Sequence, residues 1–469
     1  MKIEQLYTGC LAHGAYYIES NGVAAIIDPL RDIAAYVSRA AADNAVIQYV
    51  LETHFHADFV SGHLDLAAAT GATIVFGPGA QPAFPAHIAT DGEILTLGDV
   101  KIRVLHTPGH TMESTCYLLL DETGRETALF SGDTLFIGDV GRPDLAQQAS
   151  GKTRDELAGI LYDSLRTKIM TLPPHITIYP AHGAGSACGK VISQERTDTL
   201  AGQLSTNYAL REDMTRAEFI QAVTEGLTPP PAYFPMNVKM NKQGYKNVEE
   251  VIARGVRPLS PADFEALSEE TGAMILDTRG PEQFVQGFVP GSFNIGLDGN
   301  FAPWAGTLIP IGDKPILFIA DAGRELEVVT RLSRIGFDNT IGYLEGGYNA
   351  WKASGGPTDG IVVVTPEELA VRQTWLPVNM LDVRRKNEFN IEHIAGAINI
   401  PLEYIHERVD LDKKKLYYVY CAGGYRSVIF ISIMRTRGYH NLVDVKGGLK
   451  GIRDNGHFLL TDHLEPSFR

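Results

Sequence analysis

Short apolar runs set between glycine and proline turns dominate the first 208 residues. Positions 23–28, 74–76, 101–105, 128–131 and 176–179 are mainly apolar and too short for helices, so they predict strands. Between them 60–69 and 153–172 place apolar residues at helical spacing, and the whole predicts a mixed α/β domain. From 228 to 258 the period is lost and prolines gather (Pro229, Pro230, Pro231, Pro258), which predicts an extended connection and a boundary near 255. Beyond it the pattern repeats. Leu276-Asp277-Thr278-Arg279, with Glu282, Phe284 and Asn294-Ile295, returns about 105 residues later as Leu381-Asp382-Val383-Arg384, with Glu388, Phe389 and Asn399-Ile400. Leu344-Glu345-Gly346-Gly347 likewise returns as Val445-Lys446-Gly447-Gly448. The apolar runs 316–319 and 416–420, each followed by a helical pattern, predict two small parallel α/β domains. The predicted domains are therefore 1–255, 256–356 and 357–469, with the last join in the Gly- and Pro-rich stretch 355–360.

Composition agrees: 469 residues suit about three domains, and 44% hydrophobic content is enough for several cores. The net charge of -15, with no basic stripe, argues against nucleic acid or an anionic membrane as partner. The first four residues open directly into domain sequence, and no apolar run reaches the roughly 20 residues of a membrane span, so a soluble cytoplasmic protein is expected. Four cysteines (10, 116, 188, 421) in so long a chain make no disulfide framework and point to a reducing compartment. Cys10 and Cys116 fall in strand-like stretches and read as packing residues. Cys188 lies six residues after His182 and either packs, accepts sulfur or senses oxidation.

Chemistry enters at the predicted strand ends. Thr53-His54-Phe55-His56-Ala57-Asp58-Phe59 follows one apolar run; Pro108-Gly109-His110, Ser131-Gly132-Asp133 and Pro180-Ala181-His182 follow three others. Imidazoles and carboxylates gathered this way suit zinc or iron. In this order the groups resemble the metallo-β-lactamase superfamily, which implies an αββα sandwich with metal ligands on strand-end loops. Most hydrolases of that superfamily hold two metals and carry a histidine directly after the aspartate of His-x-His-x-Asp. Here that position is Phe59, which cannot donate to a metal, so a single ion is expected; His63 is the residue that could substitute. Without the second site, His54, His110 and Asp133 form a set of two imidazoles and one carboxylate, the triad of ferrous oxygenases. The segment 131–144 resembles the persulfide dioxygenase branch, and the resemblance implies His54, His110 and Asp133 as ligands of one Fe(II) per chain. His56, Asp58 and His182 then either orient the ligands from behind or hold a second zinc. Arg142 either grips the acidic end of a thiol substrate or anchors its loop.

A second chemistry lies near the C-terminus. Val419-Tyr420-Cys421-Ala422-Gly423-Gly424-Tyr425-Arg426-Ser427 ends a strand, turns through glycines and enters a helical pattern. Inward N–H groups, a helix N-terminus and Arg426 would stabilise a sulfur anion on Cys421. The loop, with Asp382-Val383-Arg384 and the segment 393–401, resembles the rhodanese family over roughly 360–460. This implies Cys421 and Arg426 as catalytic residues and Ala422, Gly423, Gly424, Tyr425 and Ser427 as the substrate cradle. In the first repeat the matching strand is followed by Asp321-Ala322-Gly323-Arg324-Glu325, a shorter loop without cysteine, so 258–355 reads as an inactive rhodanese-like domain with a docking or spacing role.

Together these resemblances imply a persulfide dioxygenase fused to an inactive and then an active rhodanese. A low-molecular-weight thiol persulfide and O2 would give sulfite and free thiol, and Cys421 would make or use thiosulfate. The residues do not select among glutathione, coenzyme A and bacillithiol as carrier, nor fix the direction of the sulfur step. The family resemblance also implies a homo-oligomer. The alternative enzyme is a dizinc glyoxalase II-like thioester hydrolase, and a different class is a persulfide-binding scaffold without turnover.

Overall fold

The computed structural model describes residues 1–407 and 409–461. The chain divides into two compact units, 1–250 with 332–337, and 251–331 with 338–469. Positions 462–469, the end of the predicted third domain, lie outside the described residues.

In the first unit two six-stranded sheets pack face to face. One runs in chain order through Lys2–Thr8, His13–Ser20, Val23–Ile27, Val46–Leu51, Thr73–Phe76 and His87–Ile88. The other is ordered Asp198–Thr199, Thr177–Pro180, Glu126–Gly132, Thr115–Leu120, Val100–His106, Ile94–Leu97. Because side chains alternate along a strand, Tyr16, Ile18, Ala25, Ile27 and Leu51 meet Ile102, Val104, Tyr117, Leu119 and Phe130 between the sheets. Their neighbours Tyr17, Ala24, Ile26 and Val50 are buried with Tyr36 and Ala40 of helix Ala34–Ala42 and Leu66 of helix His63–Thr70. On the far side Leu118, Leu129 and Ile178 pack with Leu161 of Arg154–Ser164 and Phe219 of Arg216–Thr224. This is the expected αββα sandwich. The predicted helix 60–69 is His63–Thr70, and 153–172 opens with a Thr153–Glu156 capping box before continuing into a wider turn at Leu165–Ile169.

The segment expected to be extended between 228 and 256 is instead helical, at Phe234–Gln243 and Val248–Gly255. Pro235 in the first turn suits a helix start, and Gly244 at φ +94° ends the first helix. Its buried face is Phe234, Asn237 and Asn241, a helical spacing in which two of three members are amides. A search for apolar periodicity therefore passes over it.

The second unit holds two five-stranded parallel sheets of one topology. The order Pro258–Leu259, Thr340–Leu344, Ile316–Ile319, Met274–Asp277, Phe293–Asn294 is repeated by Val363–Val364, Leu442–Val445, Tyr417–Tyr420, Asn379–Asp382, Ile398–Asn399. The repeat extends to buried polar bonds. Arg279 forks onto Asp277 as Arg384 does onto Asp382, and the Asn294 amide donates to the carbonyls of Asp277 and Arg279 as Asn399 does to those of Asp382 and Arg384. Among the described residues no helix is long and apolar enough to cross a membrane.

Candidate metal centre and thiol site

His54 stands three residues beyond the strand Val46–Leu51, His110 four beyond Val100–His106, Asp133 directly after Glu126–Gly132 and His182 two after Thr177–Pro180. Glycines let these loops close up: Gly109, at φ +141°, leaves no room for a Cβ, which would lie 2.4 Å from Leu161 Cα, and a Cβ on Gly141 would lie 2.0 Å from the Asp133 carbonyl oxygen. All four groups are buried.

Hydrogen bonds behind the rings fix what they present in front. His110 Nδ1 lies 2.9 Å from the Arg142 carbonyl oxygen, which can only accept, so the proton is on Nδ1 and the Nε2 lone pair is free. Thr53 Oγ1 donates to Asp28 Oδ2 at 2.8 Å and therefore accepts from His54 Nδ1 at 2.9 Å, freeing His54 Nε2 in the same way. Both Nε2 atoms face Asp133 Oδ2, at 3.4 Å from His110 and 3.8 Å from His54. Asp133 Oδ2 is buried without a hydrogen-bond partner. Two lone-pair nitrogens and an orphaned carboxylate oxygen on one point fit a metal ion.

Asp133 uses its other oxygen on His182. His182 Nδ1 is 2.7 Å from Asp133 Oδ1, and its Nε2 is 2.8 Å from Asp58 Oδ2. Burial disfavours the His182 cation, but the two carboxylates outweigh it and raise its pKa well above the usual histidine range. Burial likewise opposes the Asp133 charge, yet His182 and then His54 and His110 hold that carboxyl well below its ordinary range. The Cys188 thiol is buried beside Asp58 and His182, and burial followed by the Asp58 charge pushes its pKa well up, so it is held as a neutral thiol.

The remaining residues of the loop divide differently from expectation. His56 turns away from the trio, its Nε2 3.1 Å from Asp28 Oδ1 and 3.8 Å from Glu52 Oε2. Phe59 fills the space beside it, its ring 4.2 Å from the rings of both His56 and His13. His63, the possible substitute ligand, points at Glu52 Oε1 (3.3 Å) and stacks on Phe84 rather than joining the trio. Of the two readings of Arg142 the bonds favour the anchor: its guanidinium forks onto Asp144 and donates to the carbonyls of Ala187 and Thr228, which engages four of its five donors within its own loop surroundings. Several residues that hold the centre went unread in the sequence. They are Asp28 behind Thr53, His13 against Phe59, and Asn241, whose amide donates at 2.8 Å to the carbonyls of both His56 and Phe59 while its oxygen accepts from Ser61 N–H at 2.8 Å. For Asp28 the signal was a carboxylate at a strand end; for Asn241 there was none without the fold.

In the second repeat Cys421 follows Tyr417–Tyr420, and its sulfur accepts from the Gly424 N–H at 3.1 Å, with Ser427 Oγ at 3.7 Å. Gly424, at φ +102°, starts the helix Tyr425–Thr436, and Gly448 packs so tightly under the loop that a Cβ would lie 2.4 Å from the Cys421 carbonyl oxygen. Ala422 and Gly423 are exposed at the mouth. Arg426 lies beside the loop with two nitrogens on Glu388, at 2.6 and 2.8 Å, so its charge is balanced before any anion arrives. In the first repeat Ala320 takes the place of Cys421, and the next residue, Asp321, accepts from Gln283 at 3.3 Å.

Residues 8–182 match the metallo-beta-lactamase superfamily, and 260–354 and 365–455 each match the rhodanese-like domain. A metallo-beta-lactamase structure from Staphylococcus aureus subsp. aureus COL is 32% identical, with a TM-score of 0.64, over 73% of this chain and 98% of that one. The chain belongs to the metallo-β-lactamase superfamily. Behind that domain it carries two rhodanese-like domains. A protein named a probable metallo-hydrolase from Burkholderia pseudomallei (strain 1710b) is 34% identical over 210 residues, 39% of this chain and 67% of that protein. The cytoplasmic hydroxyacylglutathione hydrolase of Arabidopsis thaliana is 32% identical over 187 residues, again 39% of this chain and 67% of that protein. Each of these two likenesses covers well under half of this chain.

Proposed function

We propose that the metal domain is a non-heme Fe(II) persulfide dioxygenase, with one iron per chain held by His54, His110 and Asp133, and that the last domain is a sulfurtransferase acting through Cys421. The observation that supports this reading is Phe59, which stands in the sequence where a second-metal histidine would be and packs its ring against His56 and His13. Two imidazoles and one carboxylate leave coordination positions open, which is the arrangement of iron oxygenases rather than of a closed structural zinc site. Bound iron would supply the means of bringing a persulfide sulfur and O2 together. The overall change balances as thiol persulfide plus O2 plus water giving thiol plus sulfite and its protons.

The chain's own groups have separable tasks. The Thr53 and Arg142 contacts keep both imidazoles as neutral Nε2 donors. His182, held as a cation with Nδ1 on Asp133 and Nε2 on Asp58, fixes the Asp133 carboxylate from behind. In the last domain the Cys421 thiolate attacks a sulfane sulfur, the donor's S–S bond breaks, and the donor leaves as a thiolate. The Gly424 N–H, already on the sulfur, supports the charge. Sulfite attack on the outer sulfur then gives thiosulfate and restores Cys421; the reverse order supplies persulfide to the metal domain. A low-molecular-weight thiol carries the sulfur, and a cytoplasmic setting and homo-oligomeric assembly complete the proposal.

The relatives' names favour a second reading, a dizinc thioester hydrolase of the hydroxyacylglutathione type, for which Asp58 and His182 would bind the second ion. Oxygen uptake by anaerobically purified, iron-loaded protein given glutathione persulfide separates the two, with His110→Ala as control. Rapid uptake lost in the variant is expected. No uptake, with hydrolysis of a glutathione thioester by the zinc form, would overturn the dioxygenase.

A further inference from the structure

The cysteine-less rhodanese-like domain reaches the sulfur loop of its twin through one side chain. Tyr425 directly follows Gly424, the residue whose N–H touches the Cys421 sulfur. Its ring extends to the segment 296–299 of the other repeat, where its hydroxyl donates to the Gly296 carbonyl oxygen at 2.7 Å. The ring is accommodated because residues 296 and 299 are glycines: a Cβ on Gly296 would lie 3.2 Å from the ring, and one on Gly299 would lie 2.3 Å from Cζ. The receiving segment is itself tied down, since Arg331 donates to the Leu297 carbonyl at 2.8 Å and Leu297 N–H donates to Thr278. A second tie lies two turns along the same helix, where Ser432 Oγ accepts from the Asn294 N–H at 2.9 Å. Residues 425 and 432 are seven apart and share a helix face. The helix that opens at the sulfur loop is therefore fixed along that face by the neighbouring domain.

We infer that the cysteine-less domain acts as a brace for sulfur transfer, with Tyr425 as the positioning residue that holds the Gly424 N–H on the Cys421 sulfur. This deepens the sulfurtransferase reading and rests on it. A left-handed glycine is conformationally permissive, so holding the residue after it restricts the turn and helps keep its N–H aimed. Backbone donors that are fixed in advance stabilise a developing sulfur anion more than donors that must reorient. A domain that lost its own nucleophile keeps a use in this way, by supplying a rigid acceptor at Gly296.

The test uses the full chain, thiosulfate as donor and cyanide as acceptor. It compares Tyr425→Phe, which keeps the ring and removes the hydroxyl, with Gly299→Ala, which pushes the ring from the other domain's side. A second readout is the rate at which iodoacetamide alkylates Cys421 at pH 7. The expected result is a threefold to tenfold fall in kcat for Tyr425→Phe, at least that for Gly299→Ala, KM for thiosulfate within twofold, and alkylation slowed by a similar factor. A merely structural tyrosine would lower the melting temperature without slowing alkylation of the folded protein, and that result would overturn the inference. So would unchanged kcat in both variants, or a loss in Tyr425→Phe with none in Gly299→Ala, which would make the effect local to the loop. If the wild type transfers no sulfur, the sulfurtransferase reading fails instead, and the alkylation ratio alone still decides the brace.

Discussion

Asn241 is predicted to hold the metal loop, and replacing it tests whether a helix in the stretch that reads as a connection is part of the centre. It is buried and makes three hydrogen bonds of 2.8 Å, donating to the carbonyls of His56 and Phe59 and accepting from Ser61 N–H. In Asn241→Ala all three partners lose their bond, and the Ser61 N–H is left buried without one. At about 1 kcal/mol for each bond, and more where a buried group is stranded, the local cost is roughly 3–5 kcal/mol. That corresponds to about two to four decades in the opening equilibrium of the loop. The assay is hydrogen exchange of the segment 56–61 in the full chain, with iron content measured on the same sample. Exchange there is expected to accelerate by at least about 100-fold and iron occupancy to fall, while the sheets of the second unit exchange as before. Acceleration of less than about tenfold, with iron retained, would refute the assignment, because it would mean the three contacts contribute under about 1.4 kcal/mol together.

Three further outcomes follow from individual residues. Burial raises the Asp444 carboxyl from its ordinary 3.8 to about 6, with the Ser427 hydroxyl working against the shift. Between those pH values the folded chain binds more protons than the unfolded one, so stability is full below 3.8 and falls as pH rises to about 6, by about 3 kcal/mol. Asp444→Asn should therefore gain on the wild type in denaturation midpoint at pH 7 but not at pH 3.5, and a pH-independent difference would contradict this. Phe59→His replaces the stacked ring with an imidazole next to His56 and His13; zinc bound per chain should rise from one toward two, and oxygen uptake should fall. Unchanged zinc content would mean that Phe59 is not what closes the second site. Cys421→Ser should abolish thiocyanate formation from thiosulfate and leave oxygen uptake from a supplied persulfide intact; loss of both would show that the two sites are not independent.

The sequence carried the strands, the duplication and the chemical groups because each is written locally. Short apolar runs of three to six residues marked the sandwich strands, and the same Asp-x-Arg and Asn-Ile pairs marked both repeats. His54, His110 and Asp133 were legible because their neighbours are also chemically distinctive. What escaped was the set of residues that hold those groups from elsewhere in the chain. Asp28 reaches Thr53 across 25 residues and Asn241 reaches His56 across 185. Arg142 shows the converse limit. An arginine beside a ligand strand reads equally as a substrate clamp or as an anchor, and only the positions of Asp144, Ala187 and Thr228 show that four of its five donors are engaged within the fold.

The two repeats locate what the duplication has kept. Both retain the Asp-x-Arg fork, the asparagine under the edge strand and the strand order, all of which fix a backbone and none of which touches a sulfur. They differ at the strand end, where Ala320 takes the place of Cys421 and the loop 320–324 into the next helix is one residue longer than 421–424, not shorter as the sequence suggests. A scaffold retained with its nucleophile gone is expected where the scaffold still has a task, and the Gly296 carbonyl under Tyr425 is the point at which this one meets the working loop. The glycines at 296 and 299 belong to the first repeat but make room for a side chain of the second. Their cost in backbone freedom is borne by one domain and their benefit falls to the other, which is why neither repeat read alone explains them.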